Sequence, residues 1–185
     1  MKLIESIRED LRAHRGDWFA QGFWAFAVHR FGEWRYQIRW SPLRKGMSFV
    51  YRVLYIIVQI ITGIEFPCEA TVGRGTRIDH FGGIVISGYA VIGDYCVIRQ
   101  GVTIGLKNET EPCGPRIGNH VSIGAGAKIL GNVRIGDHVD IGANAVVLSD
   151  VPPHSVAVGI PARIIPRKTS TIPTHPKEPN SALAR

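Results

Sequence analysis

The sequence predicts a mainly β fold, a left-handed parallel β-helix of about four coils with a short α-helical N-terminal region. Three observations carry that prediction. Aliphatic residues return every six positions, at Ile86, Ile92, Ile98 and Ile104, and again at Ile117, Ile123, Ile129, Ile135, Ile141 and Val147. Glycine follows at Gly93, Gly105, Gly118, Gly124, Gly136 and Gly142. Small or medium residues stand two positions ahead, at Ala90, Cys96, Val102, Val121, Ala127, Val133, Val139 and Ala145.

A period of six matches neither the 3.6 of a helix nor the 2 of an ordinary strand. It suits a short strand followed by a tight turn, and three such units close an 18-residue coil. Stacked at about 4.8 Å, the coils turn the aliphatic positions into ladders down the interior. Glycine supplies the backbone freedom that the corners need. Val72 and Ile78 show the same step, and a two-residue slip at Gly82-Gly83 precedes Ile86. From Ile104 to Ile117 the interval is 13 residues, so Leu106–Arg116 (LKNETEPCGPR) must leave the coil as a loop, a place where sites are commonly lined.

Ahead of the repeat the pattern turns helical. Ile4, Ile7 and Leu11 fit one helix face, and Phe23, Ala27, Phe31, Trp34 and Ile38 another. Ser41-Pro42 reads as a cap and first-turn proline opening a third helix, which Gly63 ends. Behind the repeat, DVPPHSVAVGIPARII reads as a proline-punctuated turn and short strand closing the solenoid. The expected layout is a helical region over 1–63, the β-helix over 64–165 and a disordered tail over 166–185 rich in Pro, Ser and Thr.

Composition removes several classes of function. With 185 residues, 45% apolar and 20% charged, the chain is too apolar for wholesale disorder. No stretch reaches the roughly 18 uninterrupted apolar residues of a membrane span; the best, Val53–Ile61, contains Gln59. No signal-peptide pattern opens the chain. Cys68, Cys96 and Cys113 are odd in number and lack metal-like spacing, which fits a reducing cytoplasm. The net charge of +7 invites a polyanion, and Arg30, Arg35, Arg39, Arg44, Lys45 and Arg52 crowd one stretch beside Trp24, Trp34 and Trp40. That stretch is either a solvated helix face or a surface for peripheral contact with anionic lipid headgroups. Nucleic-acid motifs are lacking, so no nucleic-acid partner is expected.

Among the seven histidines, His80 follows the inward Ile78 by two positions and should point out from a wall near the slip, where an imidazole can serve as a general base. His120 and His138 are 18 residues apart, one coil, and should stack at a corner. A zinc-dependent carbonic anhydrase on this fold would need a third imidazole converging on the same metal, and none stands at suitable spacing, so no metal is expected. His154, in Pro152-Pro153-His154, should be exposed in a turn. Neither GxSxG nor a Walker A or Rossmann fingerprint occurs.

The runs GIEFPCEATVGRGTRIDHFGGIVI, VIGDYCVIRQGVTIG, IGAGAKILGNVRIGDHVDIGANAVVL and VPPHSVAVGIPARI resemble the serine acetyltransferase family of hexapeptide acyltransferases, from Gly63 to about Arg167. The likeness extends more weakly into QGFWAFAVHRFGEW. The chain is short for that family, and in size and layout it is similar to colanic-acid-type O-acetyltransferases of exopolysaccharide pathways. The resemblance implies transfer of an acetyl group from acetyl-CoA to a hydroxyl, with His80 as the base and Glu65 as the carboxylate that orients it. It gives Asp79 to the acceptor, Gly105, Ala125 and Ala143 to the pantetheine arm, and Arg163 and Lys168 to the CoA phosphates. It further implies a homotrimer with each site between two solenoids. An Arg-His pair that engages the amino acid in that family falls here on Cys113 and Gly114, which cannot bind a carboxylate by charge. A sugar hydroxyl, on a small molecule or a lipid-linked precursor, is therefore the expected acceptor, with L-serine as the alternative. The expected location is the cytoplasm, at the inner face of a membrane if the lipid contact holds. A scaffold of this fold would bind no CoA.

Overall fold

The computed structural model describes residues 3–108 and 112–167. Lys168 and the rest of the expected tail lie outside the described residues, whereas Pro166, placed in that tail, instead ends a strand, Arg163–Pro166.

The β-helix is built as the six-residue period dictates. The first coil carries β1 (Ile64–Glu65), β2 (Thr71–Val72) and β3 (Arg77–Ile78). The second carries β4 (Ile84–Ile86), β5 (Val91–Ile92) and β6 (Val97–Ile98). The third has β7 (Thr103–Gly105), β8 (Arg116–Ile117) and β9 (Ser122–Ile123), and the fourth β10 (Lys128–Leu130), β11 (Arg134–Ile135) and β12 (Asp140–Ile141). A fifth, closing turn holds β13 (Val146–Val147) and β14 (Ser155–Val158), and β15 (Arg163–Pro166) folds back on it.

Each coil contributes one strand to each of three parallel walls. Wall A is β1-β4-β7-β10-β13, wall B β2-β5-β8-β11, and wall C β3-β6-β9-β12-β14 with β15 at its edge. The register keeps like with like: Ile86 pairs with Ile104, Ile104 with Ile129, and Ile98 with Ile123. These isoleucines are fully buried, as are the small residues two positions ahead of them. Full burial of each such side chain contributes about 1.5–3 kcal/mol, so the ladders form one continuous core. β15 runs antiparallel to β14, ending the run of parallel pairs on wall C.

Three helices close the other end: α1 (Leu3–Ala13), α2 (Gln21–Arg35) and α3 (Ser41–Thr62). Gly63 stops α3 at φ 64°, a left-handed conformation in which its N–H bonds the Gln59 carbonyl at 2.9 Å. The start of α3 differs from expectation by one residue: Trp40 occupies the cap position and Ser41 is already helical.

The helix faces depart further. On α1, Ile4 is exposed and Ile7 and Leu11 are only half-buried, while Ser6, Asp10 and the following His14 are buried. On α2, Phe31 and Trp34 are half-buried, and the buried face runs through Gly22, Phe26, His29 and Arg30. Arg30 and Arg35 are buried, which takes them out of the basic surface stretch in which the sequence placed them. Arg30 bonds Asp10 through Nε at 3.0 Å, Glu33 through Nη1 at 3.1 Å and the Val72 and Gly73 carbonyls at 3.2 Å each. Arg35 lies 4.4 Å over each of the Tyr36 and Tyr51 rings and donates to Ser48 Oγ and Cys68 Sγ. A guanidinium has five donors in a rigid fork, so it can tie two helices and a coil together where an alkyl chain could only fill space. Gly22 permits the close approach, because a methyl there would stand 2.5 Å from the Ile78 carbonyl oxygen.

α3 has no long uninterrupted apolar run, as expected, yet its 22 residues are long and apolar enough on average to cross a membrane, with Arg44, Lys45, Arg52 and Gln59 interrupting the run. Its inner face is nonetheless bonded to the rest of the chain, with Tyr51 Oη receiving the Cys68 N–H at 3.0 Å.

Asp10→Ala should lower the unfolding free energy by about 3 kcal/mol in urea titration, because it leaves the Arg30 charge buried beside fewer partners. A second expectation concerns pH. Burial holds the His14 imidazole below its ordinary 6.5, so it is neutral, with Nδ1 at 2.7 Å from the Asp10 carbonyl and Nε2 receiving the Ile78 N–H at 3.2 Å. The unfolded chain takes up that proton at the ordinary value, so the stability is complete above about pH 6.5 and is lost as pH falls below it. His14→Gln should show a shallower loss than the parent between pH 6.5 and 5 in the same titration.

Candidate active site

The sharpest irregularity of the solenoid lies where wall C turns into wall A. Between Ile78 and Ile86 the turn is two residues longer than the one above it, between Ile98 and Ile104. Asp79, His80 and Phe81 occupy the extra length, and Gly82 and Gly83 bring the chain back with φ 99° and 64°. His80 and Phe81 are exposed. Asp79 is anchored twice, by its N–H to the Ile98 carbonyl at 3.0 Å and by Arg77 Nε to its Oδ1 at 2.6 Å. Behind the same strand, His14 receives the Ile78 N–H. A cavity of about 160 Å³ opens there, lined by His14, Asp17, Arg77 and Asp79.

Along this corner lie Ala125 and Ala143, two of the three positions expected to hold the pantetheine arm. Gly101 N–H bonds the Gly82 carbonyl at 2.9 Å, Gly126 N–H the Gln100 carbonyl at 2.8 Å and Asn144 N–H the Ala125 carbonyl at 2.8 Å. Gly82, Gln100, Ala125 and Ala143 therefore form one column at the C-to-A corner, small-chained above Gln100, and His80 precedes the foot of that column by two residues. Gly105 ends β7 on wall A, and Arg163 begins the exposed β15 at the far end of wall C.

Glu65 stands on the outer face of wall A, in register with Val85, Thr103 and Lys128. It receives a hydrogen bond from Gln59 Nε2 at 3.3 Å. Among the described residues it makes none with His80, which projects from the next corner. Burial, with Glu65 and Glu69 nearby, pushes the Tyr55 phenol up to about 12, so it remains protonated. Gln59 and Lys128 were not singled out by sequence. Lys128 donates to the Gly101 carbonyl at 2.6 Å and Thr103 Oγ1 at 3.0 Å, which ties the corner to the wall.

The protruding loop begins after Gly105 and rejoins the coil at Pro115, whose carbonyl accepts the Val91 N–H at 3.0 Å. Cys113 is exposed and Gly114 buried. A Cβ at Gly114 would stand 2.5 Å from the Tyr89 carbonyl, so histidine does not fit there without moving the loop.

The predicted stack of His120 on His138 is present at 4.8 Å, and it is longer than expected. Tyr95 extends it at 5.1 Å and His154 at 5.0 Å. His154 is a third imidazole that the 18-residue period missed, because Val151 meets Ile135 after only 16 residues. Parallel rings set their nitrogens side by side rather than toward one point, a poor match to tetrahedral zinc ligation. Burial pushes the Cys96 thiol up to about 11, leaving Cys113 as the exposed thiol.

Comparison with known proteins agrees with this fold. A model of the bacterial transferase hexapeptide (six repeats) matches residues 114–149. The chain is 41% identical over 147 residues to a serine acetyltransferase of Synechococcus elongatus, covering 79% of this chain and 57% of that protein. Serine acetyltransferase from Neisseria gonorrhoeae, solved in complex with serine, superposes with a TM-score of 0.74 at 32% identity over 89% of this chain and 69% of its own. A serine acetyltransferase solved in complex with CoA gives 0.74 at 31% identity over 88% and 69%. The chain spans little more than half the length of the curated relatives it matches. These likenesses correct one expectation, since they give no support to a similarity with colanic-acid-type exopolysaccharide enzymes. Sharing fold and sequence with these enzymes over most of its length, the chain belongs to the serine acetyltransferase family of hexapeptide-repeat transferases.

Proposed function

We propose that this chain is an acetyl-CoA-dependent O-acetyltransferase whose acceptor is the hydroxyl of L-serine. The observation that carries the reading is the Asp79-His80 pair, held on the one lengthened corner at the foot of a column that continues upward through alanines. His80 takes the hydroxyl proton as the oxygen attacks the thioester carbonyl. The tetrahedral intermediate then collapses, the C–S bond breaks, and the thiolate of CoA leaves with the proton that His80 returns. Asp79, fixed by Arg77, faces the acceptor. Glu65, steadied by Gln59, lies on the neighbouring wall and supports the charged imidazole across a trimer interface, where a second solenoid completes the site. Gly105, Ala125 and Ala143 give a flat path for the pantetheine arm, and Arg163 and Lys168 meet the phosphates.

One observation favours a second reading. The loop offers Cys113 and a Gly114 with no room for a side chain, so it carries no cation at those positions for an amino-acid carboxylate. An acceptor without a carboxylate, such as a sugar, is the reading this supports.

Release of free thiol from acetyl-CoA distinguishes the two. Turnover with L-serine is expected; turnover with sugars and none with serine would replace the first reading by the second. His80→Ala should lower kcat at least about a hundredfold, with CoA affinity by calorimetry and assembly size by sedimentation unchanged. Retained turnover in that variant would remove His80 from the role of base.

A further inference from the structure

The surface of α3 that faces away from the solenoid has no partner within the chain. Phe49, Val53, Ile56, Ile57, Ile60 and Ile61 all lie open on it, with Phe49, Ile60 and Ile61 at least 70% exposed. At its side an apolar trough of about 530 Å³ runs between α2 and α3, where Trp24, Phe31 and Leu54 continue the surface. So large an exposed apolar area marks a contact.

Charge says which contact. Lys45 and Arg52 are seven residues apart, so they share a line along the helix, and Phe49 and Ile56 form the adjacent line four residues on. Arg39 stands just before the helix and Arg44 in its first turn, and all four cations are exposed. From Tyr36 to Thr62 there is no carboxylate. Trp40, at the start of the helix, is 67% exposed. An apolar face edged by Lys and Arg, with tryptophan at its border, is the pattern of a helix lying in the headgroup region of an anionic bilayer. A two-fold contact between copies would instead set these cations near their own equivalents with no carboxylate to offset them.

The inner face decides how the helix meets the lipid. Tyr51 Oη holds the Cys68 N–H, Ser48 Oγ receives Arg35 Nη1 at 2.9 Å, and Gln59 is bonded to Glu65. A helix tied along its length to α2 and the solenoid cannot cross a bilayer without breaking those bonds, whatever its hydropathy. We infer that α3 is an in-plane anchor that docks this protein on an anionic membrane surface.

Co-sedimentation of the full chain with vesicles tests this. Binding is expected to equimolar phosphatidylcholine and phosphatidylglycerol at low salt, to weaken as salt rises, and to be slight with phosphatidylcholine alone. Lys45→Glu with Arg52→Glu should lower the vesicle partition constant by at least about fivefold per site. Phe49→Gln with Ile60→Gln, both at exposed positions, should abolish binding while leaving the thermal melt unchanged. The inference is overturned by absence of binding to anionic vesicles at low salt, or by equal binding to neutral ones. It is equally overturned if the apolar pair changes only the size of the assembly, which would make this face a contact between copies.

Discussion

Twelve aliphatic side chains, from Val72 to Val147, must remain inside a tube whose walls are two to four residues wide. That holds only while each strand keeps its register with the strand one coil away, because a slip of one residue would turn the aliphatic position outward. The constraint is stiff, and everything else in the protein is arranged around the few places where it relaxes. One is the lengthened corner after Ile78, where Asp79 and His80 stand. The other is the insertion after Gly105. Both leave the ladders undisturbed, since Ile86 still pairs with Ile104 and Ile92 with Ile117.

The helical end follows a different logic. The first coil has no coil beneath it, so α2 and α3 cover its open end. Their contact is polar as much as apolar, with Arg30, Asp10, His14 and Arg35 buried and hydrogen-bonded. A buried ion pair specifies geometry more surely than it adds stability. Here that geometry includes the strand carrying Asp79, which is held from behind by His14. The proposed acceptor site is thereby linked to the docking of α1, although α1 contributes no group to the chemistry.

Inward positions of the solenoid were legible because a six-residue period has one structural solution. The candidate site was legible in part. His80 stood out from the slip in the repeat, whereas Asp79 and the glycine and alanine positions for the pantetheine arm came only with the family resemblance. Gln59 and Lys128 were hidden, since each acts through residues on another element. His154 was missed for a related reason: the last coil is two residues shorter, and a fixed period carries no information about where it fails.

What the sequence alone determined is the solenoid, its ladders, its loop and the corner with His80, because repeated local geometry needs no distant partner to be read. What only the tertiary structure decided is which helix faces are inside. Apolar spacing pointed to Ile4, Ile7 and Leu11, yet Ser6, Asp10 and His14 are buried, and the surface they meet presents the Arg30 guanidinium to Asp10 and the Ile78 N–H to His14. The same docking leaves the most apolar stripe of α3 facing outward. Amphipathic spacing identifies a face that needs covering, but it does not say whether the cover is the chain's own core or something beyond it.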